Sequence, residues 1–214
     1  MSEYRYALAR RAGLDPGPFA PMYLYAQLVQ GFPVGTTLTQ NLQILEAQGI
    51  ERSADYSLGV TESLYDDSDQ PTAADRARAL RYRVSGYGWR YLSHADEATI
   101  DAWMEGEHLP IVILLDVYPN FDYAGHTDAT GTTYPLLIQP RSPGMAYRGS
   151  HVVVGYRTDA QGVWFLNTWG AGYGEDGWAE LSWAALAAEG YVYFLQRQTR
   201  ILAPRSYPWR TIVT

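Results

Sequence analysis

The run Gly149-Ser150-His151-Val152-Val153-Val154-Gly155-Tyr156, followed by Val163-Trp164-Phe165-Leu166-Asn167-Thr168-Trp169-Gly170, decides how this chain folds. Both runs are β-branched and aromatic, and the segment from Asp159 to Gly162 between them reads as a turn, so together they predict a hairpin. His151 and Asn167 are 16 positions apart, which brings both side chains to one end of that hairpin. A histidine at a strand start can act as a general base. An asparagine carbonyl can accept from its far ring nitrogen and fix the tautomer. Trp169 is placed to shield that bond from water, and Gly170 to let the loop pass close beneath the ring. Gly149 and Ser150 support the approach to His151, but neighbours on a strand point to opposite faces, so Ser150 is not expected to meet the imidazole.

Outward from the hairpin, the downstream residues Gly172-Tyr173-Gly174 and Gly177-Trp178 complete a pattern that resembles the His/Asn half of the papain-like cysteine proteases, the C1 peptidases. In that family a histidine opens a strand running into Val-Gly-Tyr, and the next strand ends in Asn-Ser-Trp-Gly. The resemblance covers most of the chain. Phe19-Ala20-Pro21-Met22-Tyr23-Leu24-Tyr25 is similar to a Ser-Pro…Leu-Tyr-Tyr block of bacterial members. Gly35-Thr36-Thr37-Leu38 with Leu42, Leu45 and Gly49-Ile50 resembles the next helix. Leu109-Pro110-Ile111-Val112 leading to Val117-Tyr118-Pro119-Asn120-Phe121 resembles the strand that crosses between the lobes. The resemblance implies an α+β, two-lobed fold in which His151 and Asn167 are the catalytic residues, Trp169, Gly170, Gly149 and Ser150 support the cleft, and a protein or peptide lies between the lobes.

The elements read from the residues agree with an α+β order. Helices are expected at Ser2 to Arg11, at about Ala20 to Gln30 with Gly31 as its stop, and from Thr37 as N-cap to a close at Gly49. Another is expected at Asp96 to Glu105, with Ile100 and Trp103 inward. The acidic stretch from Asp66 to Asp75 reads as a loop, or as the opening of a helix carrying Arg76, Arg78 and Arg81. Tyr82 to Tyr91 reads as a strand region, and Ile111–Leu115 and Tyr191–Leu195 as buried strands. Residues 1–95 are thus expected to form a helical lobe, and 96–214 a mainly antiparallel β lobe. Trp169, Trp178 and Trp183 read as core residues.

Composition limits the chemistry. Among the 214 residues there is no cysteine, which removes thiol nucleophiles, disulfides and thiolate metal sites from the chain's own repertoire. There is no lysine either, so all 16 cationic side chains are arginine and Schiff-base chemistry is excluded. His94, His108 and His126 stand without ligand spacing, so no metal or other cofactor is expected. A net charge of -7 with interspersed signs argues against nucleic acid as a partner. No apolar run reaches membrane-span length and no secretory leader is visible, so a cytoplasmic or virion-associated place is expected.

The family's nucleophile is a cysteine at the start of its first long helix, preceded by a glutamine of the oxyanion hole. Ser2-Glu3-Tyr4 resembles the later turns of that helix, which puts the matching cysteine and glutamine ahead of Met1. Two functional expectations follow. One is an inactive papain-like pseudoprotease, a binding or structural module of an oligomer or larger assembly such as a virion. The other is a C1-type cysteine protease whose nucleophile segment is missing from this chain or supplied by another.

Overall fold

The computed structural model describes residues 2–29, 35–56, 70–84, 87–93 and 96–197. Helices α1 (Ser2–Arg11), α2 (Pro21–Ala26), α3 (Leu38–Ala47) and α4 (Ala73–Ala79) come first, and a 3-10 turn (Leu80–Tyr82) follows them. Then come β1 (Tyr87–Ser93), α5 (Glu97–Glu107), β2 (Ile111–Val117), α6 (Pro119–Asp122), β3 (Leu137–Ile138), β4 (Gly149–Thr158), β5 (Gly162–Leu166), β6 (Trp178–Ser182), α7 (Trp183–Glu189) and β7 (Gly190–Arg197).

The helix boundaries have local causes. Thr37 opens α3 with a capping box: Gln40 N donates to Thr37 Oγ1 at 3.2 Å, and Thr37 N donates to Gln40 Oε1 at 3.0 Å. Thr72 and Asp75 repeat the device on α4, the helical alternative for the Arg76/Arg78 segment. Asp96 caps α5 by accepting from Thr99 N, and Ile100 is fully buried as expected. Helix α2 is shorter than its sequence suggests, because the amides of Leu28 and Val29 both turn back to Tyr25 O and carry Val29 into the core. Gly31 and Asp66 to Asp69 lie outside the described residues, as does His94.

The strands form one sheet in the order β1-β7-β2-β4-β5-β6-β3, antiparallel apart from the two-residue β3–β6 pair. The strand expected at Tyr82 to Tyr91 starts later, at Tyr87, and pairs with β7. Period-2 alternation splits the sheet's apolar side chains between two cores. Ile111, Ile113, Leu115, Val153, Val192 and Phe194 join Ile100, Phe121, Phe165 and Leu186 on one side. Val112 and Val154 join Leu24, Leu42, Leu45 and Ile50 of the helical segment on the other. A strand wetted on neither face reads as a continuous apolar run, which is why Ile111–Leu115 shows no polar alternation.

The hairpin turn between β4 and β5 is held by Asp159. Its carboxylate accepts from Gln161 N and from Trp164 Nε1, each at 2.8 Å, and these bonds hold it down at about 2. Its backbone oxygen accepts from Trp183 Nε1 at 3.1 Å. Glu180, only 4% exposed on β6, faces this carboxylate; burial first, and then Asp159, push it up to about 7. Between its ordinary 4.5 and about 7 the folded protein therefore holds a proton that the unfolded chain has released. Stability should fall as pH rises through that window, by about 2 kcal/mol. Glu180→Gln should flatten this part of the profile. Urea unfolding of both proteins from pH 5 to 7.5 checks it, and parallel profiles would refute it.

Candidate functional site

His151 sits near the start of β4 with its side chain on the face shared with Val153, and Asn167 immediately follows β5. Asn167 N donates to Gly177 O at 2.9 Å, and Tyr173 N to Gly170 O at 3.2 Å. These bonds fold the loop back under its own start and fix Asn167 where the hairpin ends. The two side chains meet: His151 Nε2 lies 3.0 Å from Asn167 Oδ1. The same oxygen accepts from Thr168 N at 2.8 Å, which identifies it as the amide oxygen. An acceptor opposite Nε2 requires the proton there, so Nδ1 is left with a free lone pair. The arrangement can accept a proton at Nδ1 and can do so reversibly.

Rings enclose the imidazole. Trp169 lies 4.8 Å from it, centroid to centroid, and Phe121 of α6 lies 5.9 Å away, edge to face. Phe121 is also stacked on Phe165 at 5.6 Å and touches Trp169 at 5.4 Å and Tyr173 at 5.6 Å. Burial pushes the His151 pKa down, against the opposing pull of the Asn167 bond and the Asp122 charge. The neutral base is therefore kept to lower pH than in free histidine. Burial likewise pushes the Tyr173 phenol well up, so it stays neutral. Tyr173 Oη and Asn167 Nδ2 are both buried and reach no hydrogen-bond geometry among the described residues.

The structure places the other expected residues unevenly. Trp169 packs beside the pair as expected but is not core: it is 47% exposed. Ser150 points away from the imidazole, with its Oγ donating to Asp116 Oδ1 at 3.1 Å and lying 3.0 Å from Tyr147 Oη. Gly149 (φ 140) and Gly170 (φ 91) serve backbone conformation, for a Cβ at either would meet open space. The close passage beneath the ring expected of Gly170 is not made there; Gly174 makes a different close approach, against backbone, where a Cβ would stand 2.0 Å from Trp178 O. His126 is exposed in its loop, and His108, at φ 50, caps α5. No group of three or more histidine or acidic side chains among the described residues is placed to hold a metal ion, and no described helix is long and apolar enough to cross a membrane.

Sequence reasoning missed the roles of Phe121, Tyr173 and the Asp122–Arg148 ion pair (2.8 Å). Phe121 closes the Val117-Tyr118-Pro119-Asn120-Phe121 motif and Tyr173 stands in Gly172-Tyr173-Gly174, so the sequence carries a signal for both. The ion pair joins residues far apart in sequence and leaves no local pattern.

Solved structures with a similar fold include xylellain, a cysteine protease from Xylella fastidiosa, at a TM-score of 0.71 and 15% identity over 93% of this chain and 80% of that one. The bromelain protease of Ananas comosus, solved with the E64 inhibitor, is similar at a TM-score of 0.58 and 14% identity over 91% and 84% of the two chains. The cysteine protease CMS1MS2 of Carica candamarcensis is similar at 0.54 and 15% identity over 92% and 87%. No protein-family model and no curated protein matches the sequence. The likeness establishes the fold: this chain has a papain-like fold, and it contains no cysteine.

Proposed function

We propose that this chain is a papain-like pseudoprotease, a scaffold that binds a protein or peptide segment between its helical part and its sheet without cleaving it. The observation that carries this reading is the His151–Asn167 pair set at 3.0 Å in a chain with no thiol to hand His151 a proton. Ser150 is no substitute, because its hydroxyl is engaged by Asp116 and Tyr147 on the other face of β4. Exposed Trp169 and Tyr147 support the binding half of the reading, since large aromatic side chains are enriched where proteins meet. A place within a larger assembly such as a virion suits the same surface.

A second reading has its own support. The tautomer set by Asn167 leaves Nδ1 ready to accept a proton, the state a nucleophile brought by another chain or segment would need. In that case the chain is the base-bearing part of a cysteine protease.

Both readings predict that residues 1–214 alone do not hydrolyse fluorogenic peptides, with or without reductant. Iodoacetamide and thiol-directed epoxides should leave any binding unchanged. Loss of the nucleophile leaves several orders of magnitude less turnover. Robust turnover by residues 1–214 alone, abolished by His151→Ala, would overturn both readings. Turnover that appears when a cysteine-bearing helical segment is added would select the second.

A further inference from the structure

A groove of about 640 Å³ runs beside α5, lined by residues that take no part in the His151–Asn167 pair. Ala98, Ala102 and Gly106 follow one another a turn apart and give it a bare, exposed helical side. Trp103 and Phe194 of β7 add aromatic surface, with their rings 4.9 Å apart. Asp96 and Glu107 line it at the two ends of the helix. Between them the chain also carries Glu97, Asp101 and Glu105, and no cationic side chain. A fitting occupant therefore brings apolar side chains together with positive charge.

We propose that the groove beside α5 is a docking site for the chain's own residues 200–205, which lie outside the described residues. The first support is the path of the chain. Ser93 of β1 pairs with Tyr191, and Val112 of β2 pairs with Tyr193, so α5 runs from the start of β7 toward its later part. The chain therefore leaves β7 after Arg197 on the side where α5 ends, three positions beyond the groove residue Phe194. The second support is charge. Residues 198–214 carry Arg200, Arg205 and Arg210 and no acidic side chain, the complement of the carboxylates on α5. The third is length. The 11 residues of α5 span about 16 Å, and the five steps from Arg200 to Arg205 span about 17 Å when extended. Arg200 would stand toward the Glu107 end and Arg205 toward the Asp96 end, with Ile201, Leu202 and Ala203 between them. Pro204 favours extended backbone in itself and in Ala203, so the segment gives up little freedom on docking.

The proposal does not depend on what the His151 site does, and the absence of cysteine makes it directly testable, because every thiol is an introduced one. The full chain is prepared with the pair Ala102→Cys and Ala203→Cys. A control carries Thr132→Cys and Ala203→Cys, since Thr132 is exposed in the loop before β3, at the opposite edge of the sheet from β1. Under mild oxidation at low protein concentration, disulfide closure is followed by non-reducing electrophoresis and mass. The Ala102 pair should close within one molecule at least about tenfold faster than the control, because docking raises the local concentration of the second thiol. Adding Leu202→Asp to the Ala102 pair should bring its rate down to that of the control. Arg205→Glu should slow closure severalfold, whereas Arg205→Lys, which keeps the charge, should not. Equal rates in the two pairs would show a segment that meets α5 only by chance and would overturn the proposal. Disulfides formed mainly between molecules would assign the groove to a second copy and would also overturn it. Faster closure of Ala102→Cys with Thr211→Cys than with Ala203→Cys would put a later stretch in the groove, with the same consequence.

Discussion

Phe121→Ala should destabilise the protein by about 4 kcal/mol and raise the His151 midpoint toward that of free histidine. Phe121 is 1% exposed and its ring meets Phe165, Tyr173, Trp169 and His151, so truncation removes buried apolar area and opens a cavity where four rings converge. Burial is the largest influence holding the His151 pKa down, and water admitted into that cavity would relieve it. The folded imidazole, being a weaker base than the unfolded one, adds stability above the ordinary histidine range that is lost as pH falls. The variant should therefore also lose part of the acid-side slope of stability. Urea unfolding at pH 7.5 and pH 5.5, with NMR titration of His151, measures all three effects. A loss under about 1 kcal/mol would mean that the rings around Phe121 can close over the gap and that it does not hold the site together.

Gly49→Ala is expected to cost about 3 kcal/mol, far more than an alanine at an ordinary turn glycine. At φ +80 the residue already sits where side chains are disfavoured, and an added Cβ would stand 2.0 Å from Ala79 O and 2.8 Å from Arg83 N. Neither neighbour is a flexible side chain that can swing away, so α3 would have to part from the α4 segment. Gly13→Ala separates the two causes. It shares a positive φ of 75 but meets nothing within 4 Å, so it should cost about 1 kcal/mol. Equal losses at the two positions, read by thermal unfolding, would show that backbone conformation alone governs Gly49.

Gly49 also shows where sequence reading stops. Its place as the C′ residue of α3 follows from the helical period of Leu38, Leu42 and Leu45 and needs no knowledge of the rest of the chain. That it lies against Ala79 does not follow from any local pattern. Helix α2 ends early for a similar reason: Pro21 marks its start, but burying Val29 rewards a turn that propensity does not forecast. The strands β3 and β6 and helix α7 are too short to carry a clear periodic pattern, and the Trp178–Ser182 run borrows its burial from β5 beside it. Trp169 was expected in the core on residue type; it is half-exposed because it covers the edge of the site rather than its floor.

The amino-acid sequence by itself determined the chemistry available to this protein and the pairing at its site. Composition removed the thiol and the lysine amine. The hairpin brings His151 and Asn167 together, because strand period and turn position are largely local properties. Tertiary structure alone decided what surrounds that pair. The shared face of β2 and β4 and the ring wall of Phe121 come from segments far apart along the chain. Burial and Coulomb fields depend on distance in space, and only the packed fold sets those distances.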